Sequence, residues 1–386
     1  MSNLISNITK ALKYYDTQSA TLLDPHEALF PKRISSIDFD NCLSNGLFTF
    51  RRTKESYRPI AGVLPIPSRS TWELKQDSIS CHSSLGYKKL QFNPTLERLD
   101  KIVSHYLKII KNEPIAIELS GGLDTALIIE YLKLHDVDPV YVGYISDRYE
   151  FRTERAIQEY YLKGSQKNRM IDYADCPAFA SLSKAPLHPF PTADSLYHVR
   201  HTMIADAAKF MGVKILLNGN AGDSLLGHSF EHAKTEVPMG YASWSITDTW
   251  TVDQIFSPCG ITYLCPFAFD STIRTLISLR KGFPEDSMKL WARKTFSNIL
   301  PWQLSKFAYK ANHDCWVADG LKQAASEIKV VVDSAFDFIK NPSLDSKTMI
   351  KTATNYFHAE EKEKHEFLLK LAFSVWIHGF IRENLI

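Results

Sequence analysis

The six cysteines, Cys42, Cys81, Cys176, Cys259, Cys265 and Cys315, form no C-x-x-C pair. Zinc knuckles and dithiol redox motifs are therefore not expected, and free thiols in a reducing cytosol are. An excess of charge of one sign is also missing, since 45 basic residues against 43 acidic ones leave a net charge of +2. That balance argues against a strongly basic nucleic-acid-binding domain, while leaving room for a local basic patch. No apolar run reaches the roughly 18 residues a membrane helix needs. The first residues, Met1 to Asn7, place no basic region before an apolar run, so no signal peptide is expected. Internal repeats and low-complexity linkers are absent as well. These absences together predict a cytoplasmic protein without a membrane segment. What the chain does have is 45% hydrophobic and 12% aromatic residues in a length of 386. That supplies a substantial core and excludes a disordered chain.

The patterning changes near residue 95. Before it, short apolar stretches such as Gly46 to Phe50 alternate with polar, Pro-rich segments such as Leu64 to Ser68, which predicts a small β-rich or irregular layer. After it, helical and strand-like runs alternate. Leu96 to Lys111 has helical spacing, with Leu96, Leu99, Val103, Leu107 and Ile110 on one face. Strands are predicted at 114–119, 139–145, 168–173 and 213–217, and helices at 123–134, 153–162 and 193–211. Strands alternating with helices argue for parallel β-α-β units in an open, doubly wound α/β sheet. Beyond residue 270 the pattern is mostly helical, ending in an amphipathic segment from Glu360 onward.

One segment carries chemistry. Leu119, Ser120, Gly121, Gly122, Leu123, Asp124 and Thr125 lie where a predicted strand ends and a helix begins. In an open parallel sheet, ligands bind beyond the carboxyl ends of the strands. A helix N-terminus there offers unpaired backbone N–H groups to an anion, and two glycines let the backbone approach it closely. Ser120 and Thr125 add hydroxyl donors. Asp124 is out of place beside phosphates unless a divalent cation lies between them, which suits magnesium held by carboxylates and phosphate oxygens. The loop lacks the lysine of a Walker-type phosphate loop. An ordinary strand-to-helix turn is the simpler alternative.

Ser120 to Thr125 reads S-G-G-L-D-T. It resembles the S-G-G-x-D-[ST] pyrophosphate loop of the N-type ATP pyrophosphatases, enzymes that cleave ATP between the α- and β-phosphates. Leu217 to Gly227, L-N-G-N-A-G-D-S-L-L-G, is similar to the S-G-E-G-[SA]-D-E-x-x-G-G segment of the asparagine synthetase-like members. Gly260 to Asp270 loosely matches their G-x-E-x-R-x-P-F-L-D. Lys289 to Arg293, Leu300-Pro301 and Lys306 to Lys310 resemble their K-x-x-L-R … L-P … R-x-K run. The likeness spans about residues 95–315, and it implies an adenine nucleotide α-hydrolase-like sheet with a helical C-terminal half. It further implies ATP and Mg2+ as cofactors, with Asp124 and Asp223 as metal ligands. Leu119 to Thr125 with Asn218, Gly219 and Asn220 would bind the nucleotide. Lys310 would contact pyrophosphate or the intermediate and stabilise developing negative charge. Lys289 and Arg293 either share in that run or serve packing and surface roles. Pro266, Phe267 and Asp270 read as structural.

Gly62 to Ser68 resembles the segment that precedes the synthetase domain in this family. Residues 1–94 therefore read as a reduced relic of a glutaminase domain, and residues 95–386 as the ATP-pyrophosphatase domain. Residue 2 is serine, and the N-terminal part is short, so no glutaminase activity is expected. Asn220 stands where the family pattern has Glu, and Asn cannot act as a base. Asp248 and Asp253 are candidate replacement bases as well as plausible loop residues. Arg148, Arg152 and Arg155 suit either an anion or a solvated helix start. His228 and His232 have helical metal spacing but no third ligand.

The function these readings predict is an AMP-forming carbon–nitrogen ligase. It would adenylate the carboxylate of a small molecule or peptide for attack by an amine, in the manner of β-lactam synthetases and lasso-peptide cyclases. Macrolactam or antibiotic biosynthesis would be its setting, and a partner protein or precursor peptide its company. The alternatives are an RNA- or nucleobase-modifying enzyme, or a non-catalytic nucleotide-binding subunit.

Overall fold

A computed structural model describes six short strands within the first 95 residues, and residues 96–384 apart from 189–190, 192, 221, 228–251, 253, 269, 281–287 and 307–312. The N-terminal strands are β1 (Asn3–Asn7), β2 (Lys13–Asp16), β3 (Thr21–Leu23), β4 (Val63–Ile66), β5 (Ser70–Lys75) and β6 (Ser78–Ser84). They form two three-stranded antiparallel sheets, ordered β1-β5-β6 and β3-β2-β4. The β-rich reading of this region holds for the described strands. Gly46 to Phe50 lies outside the described residues.

The main sheet is built from β7 (Ile115–Glu118), β8 (Val140–Ile145), β9 (Asn168–Asp172), β10 (Ile215–Leu217) and β11 (Thr262–Leu264). All pairings are parallel, and the order is β9-β8-β7-β10-β11. Parallel strands need crossovers, and helices supply them. The first three crossovers are α2 (Leu123–Leu134), α3 (Arg152–Leu162) and α4 (His198–Phe210), preceded by α1 (Leu96–Ile110). After β10 come α5 (Gly222–Leu226) and, past β11, α6 (Asp270–Arg280), α7 (Leu290–Thr295) and α8 (Trp302–Lys306). The C-terminal half closes with α9 (Asp314–Gln323), α10 (Ala325–Ile339), α11 (Ser346–Thr354) and α12 (Glu361–Arg382).

Successive strand residues point to opposite faces, so each face of the sheet carries its own core. Ile115, Ile117, Tyr141, Ile215 and Leu217 join the apolar sides of α1, α2 and α3 together with Leu276, Trp291 and Phe296. Ala116, Val142 and Leu216 join α4 and the C-terminal helices, through Trp316, Val331, Phe373 and Trp376. Burial on both faces explains why these strands read as continuous apolar runs rather than as alternating ones. The fold is α/β and doubly wound, as the sequence predicts. One predicted helix, 193–211, divides into a 3-10 segment (Ala193–Tyr197) and α4. Tyr197 ends the tighter turn, and its ring stacks on Trp316 of the opposing helical layer at 6.0 Å. Tertiary packing there overrides local periodicity.

The chain order of strands across the sheet reverses between β7 and β10. At such a reversal a crevice opens at the carboxyl ends of the neighbouring strands. The two Gly-rich segments follow β7 and β10.

Candidate functional site

The loop after β7 is shaped by two constraints. Gly121 has φ of +82°, and a Cβ there would stand 2.5 Å from the backbone oxygen of Glu154. Only glycine meets both conditions without strain. Ser120 then faces back across the turn. Its Oγ lies 2.9 Å from Thr125 Oγ1 and accepts from the Gly122 N–H at 3.2 Å. Leu119 and Leu123 are buried anchors at the two ends. The Leu119 carbonyl accepts from the buried Gln158 side chain at 3.1 Å, and Gln158 also reaches the Tyr144 carbonyl at 2.6 Å. Gly122 caps α2, which places Asp124 in the first helical turn, where the helix dipole favours an acid.

The loop after β10 closes onto this turn. A Cβ on Gly222 would stand 2.4 Å from Asp124 Cγ, and one on Gly219 would stand 2.9 Å from Thr125 Oγ1. The two glycines therefore allow contact between the loops. Asn218 is buried and holds its own loop together. Its Oδ1 accepts from the Asn220 N–H at 2.8 Å and from Cys265 Sγ at 2.9 Å, and its Nδ2 donates to the Leu264 carbonyl at 3.1 Å. Asn220 Nδ2 donates to the Tyr263 hydroxyl at 3.3 Å.

Asp124 and Asp223 converge on one cation, and that cation is Lys289. Its Nζ lies 2.7 and 2.6 Å from the two carboxylate oxygens of Asp124, and 2.6 Å from Asp223 Oδ1. Burial alone would depress the Lys289 ammonium. The two carboxylates outweigh that and hold its pKa above the ordinary value. Asp223 is the solvent-facing member, with 58% of its side chain exposed against 15% for Asp124, so the site opens on that side. The sequence left Lys289 between a site role and packing, and the structure brings it into the site.

A brace fixes this triad. Lys289 precedes α7 with φ of +57°, a left-handed conformation that costs a non-glycine residue about 1 kcal/mol. Buried Arg293 takes the packing role, donating to the Met288 carbonyl at 2.8 Å and to the Leu304 carbonyl. Trp291 Nε1 donates to the Leu226 carbonyl at 2.7 Å, and Arg280 Nη2 to the Gly227 carbonyl at 2.9 Å. The Trp291 bond ties α7, which follows Lys289 directly, to α5, which carries Asp223, and the Arg280 bond ties α6 to the end of α5.

Sequence reasoning missed a second polar group on the other face of β7. Glu118 accepts from Arg200 Nη2 at 3.2 Å, and Arg200 lies over the Tyr144 ring at 5.1 Å. Burial, then the Glu118 charge, pushes the Tyr263 phenol well above its usual range. The signal available was the carboxylate that ends the apolar run Ile115-Ala-Ile-Glu118. By contrast, the arginines after β8 serve the surface. Arg148 pairs with Asp319 at 2.8 Å, Arg155 with Glu159 at 2.7 Å, and Arg152 stacks on Tyr149. Cys176 and Cys265 are buried, and burial raises the Cys176 thiol, the opposite of what a reactive thiolate needs. Lys310, Asp248, Asp253, His228 and His232 lie outside the described residues.

No family model matches the chain, and no curated protein matches it. Among the described residues, no helix is long and apolar enough to cross a membrane. No group of three or more His, Cys, Asp and Glu side chains gathers as a metal site among them either. Two carboxylates alone fit magnesium, which keeps several waters and takes phosphate oxygens as its other ligands. The Lys289 ammonium marks where their oxygens converge.

Proposed function

We propose that this chain is an AMP-forming carbon–nitrogen ligase that uses ATP to adenylate a substrate carboxylate for attack by an amine. The observation that carries the reading is the meeting of Asp124 and Asp223 on one cation at the switch point of the sheet, against a Gly-Gly loop at a helix N-terminus. Asp124 and Asp223 would hold magnesium, which when bound would offset the charge of the phosphates. The first turn of α2, with Ser120 and Thr125, offers N–H and O–H donors to the pyrophosphate portion. A carboxylate oxygen of the substrate attacks the α-phosphorus, and the bond to the β-phosphate breaks as pyrophosphate leaves. The amine then attacks the acyl carbon, loses a proton, and expels AMP. Cationic Lys289, already at the carboxylate pair, and Lys310, by its place in the sequence pattern, would stabilise charge on the leaving groups. The substrate class we favour is a peptide or a natural-product precursor, and the cell compartment the cytoplasm.

A second reading rests on two observations, Asn220 in place of an acid and a carboxylate pair already satisfied by lysine. A nucleotide-binding subunit that does not turn over would show both. Pyrophosphate–ATP exchange separates the two. The protein is incubated with Mg·ATP, labelled pyrophosphate and a carboxylate-containing small-molecule and peptide extract of its host. The ligase reading predicts label entering ATP, and its loss in Asp124→Asn. Saturable ATP binding with no exchange in any extract fraction would favour the non-catalytic subunit, and ADP formation would contradict adenylation.

A further inference from the structure

The carboxylate pair has a resident positive charge that belongs to the chain. Three carboxylate oxygens lie within 2.7 Å of Lys289 Nζ, and Lys289 is only 7% exposed. The placement is built rather than incidental. The left-handed backbone at Lys289 is a strained conformation of the kind kept where structure over-determines it. Trp291, through the Leu226 carbonyl, locks the lysine-bearing segment to the helix of Asp223.

Charge bookkeeping shows what this arrangement does. Two carboxylates and one ammonium leave one net negative charge. A free divalent cation gains little there, because the oxygens it needs are already paired and it must also shed tightly held water. A bare triphosphate is repelled by the same net charge. Metal and triphosphate arriving together change both terms, since the phosphates offer the ammonium a new partner as the carboxylates turn to the metal. We propose that Lys289 is a tethered counter-ion that keeps free divalent metal off Asp124 and Asp223, so that metal enters this site only together with a nucleoside triphosphate. The inference rests on the metal–nucleotide reading of the site, but it is read out on metal binding, whereas that reading is judged on exchange and AMP formation.

The test is a Mn2+ titration of the nucleotide-free protein, followed by the loss of the free-ion electron paramagnetic resonance signal. Lys289→Met should bind Mn2+ at least about tenfold more tightly than the wild type, and Lys289→Met with Asp223→Asn should lose the gain. Wild-type binding as tight as that of Lys289→Met overturns the proposal, and so does a gain that survives Asp223→Asn. Should Lys289→Met lose the native circular dichroism spectrum, the wild type decides alone. Mn2+ that co-elutes with the protein on gel filtration only in the presence of α,β-methylene-ATP upholds the proposal, and Mn2+ held tightly without nucleotide refutes it.

Discussion

At the scale of single residues, the site depends on what is missing as much as on what is present. Gly222 lacks the Cβ that would collide with Asp124 at 2.4 Å. Gly222→Ala should displace that carboxylate, destabilise the fold by about 1–3 kcal/mol as an overpacked contact does, and lower Mg·ATP affinity at least tenfold. Calorimetric titration with α,β-methylene-ATP checks this, and unchanged affinity would show that the loop contact is not needed. His188 makes a different kind of residue-scale statement. Its ring is buried, neither nitrogen has a hydrogen-bond partner among the described residues, and burial depresses its pKa to about 4. The unfolded chain takes up that proton near the ordinary value of about 6.5 while the native state does not. Stability is therefore fully present above pH 6.5 and falls as pH drops toward 4, by about 3 kcal/mol from this group. His188→Leu should flatten that acid limb and leave stability at pH 7 within about 1 kcal/mol, because no hydrogen bond is lost. Urea unfolding at pH 7 and pH 5 decides it. Equal acid losses in both proteins would contradict the assignment.

At the scale of elements, the phosphate-loop candidate is held from behind by α3. Gln158 ties the carbonyl of Leu119, after β7, to the carbonyl of Tyr144 in β8. Gln158→Leu strands two buried carbonyls and should cost about 2–4 kcal/mol, measured as a lower denaturation midpoint with an unchanged slope. A loss below about 0.5 kcal/mol would mean that other donors satisfy both carbonyls. Elements also set the limit of what the sequence conveys. α2 was legible to its ends, Leu123–Leu134, because a Gly-Gly break and a long apolar run mark it locally. β11 was not. It is three residues long, and it is a strand only because Thr262, Tyr263 and Leu264 pair with Ile215, Leu216 and Leu217 of β10. The turn from 3-10 to α-helix at Tyr197 was hidden for the same reason, since the partner that fixes it, Trp316, lies in a distant helix.

At the scale of the whole molecule, the order β9-β8-β7-β10-β11 is what brings the two motifs together. Each motif was visible as a local pattern, glycines and one acid after an apolar strand. Their adjacency follows from a topology that alternating strands and helices make reasonable but do not dictate. Lys289 was the least legible member. Its partner Asp124 lies 165 residues away, and no local signal separates a lysine in a salt bridge from one on the surface. The same holds for the Glu118–Arg200 pair, in which only the isolated carboxylate at the end of an apolar strand gave a hint.

Under the proposed function, this crevice directs cleavage of ATP between its α- and β-phosphates. Turnover of ATP labelled at the α-phosphate, in the presence of Mg2+ and fractions of a host extract, tests that most directly. The expected result is labelled AMP with an equal amount of pyrophosphate, dependent on one fraction and absent in Asp124→Asn. Labelled ADP instead would contradict it, because the bond broken would then be the wrong one.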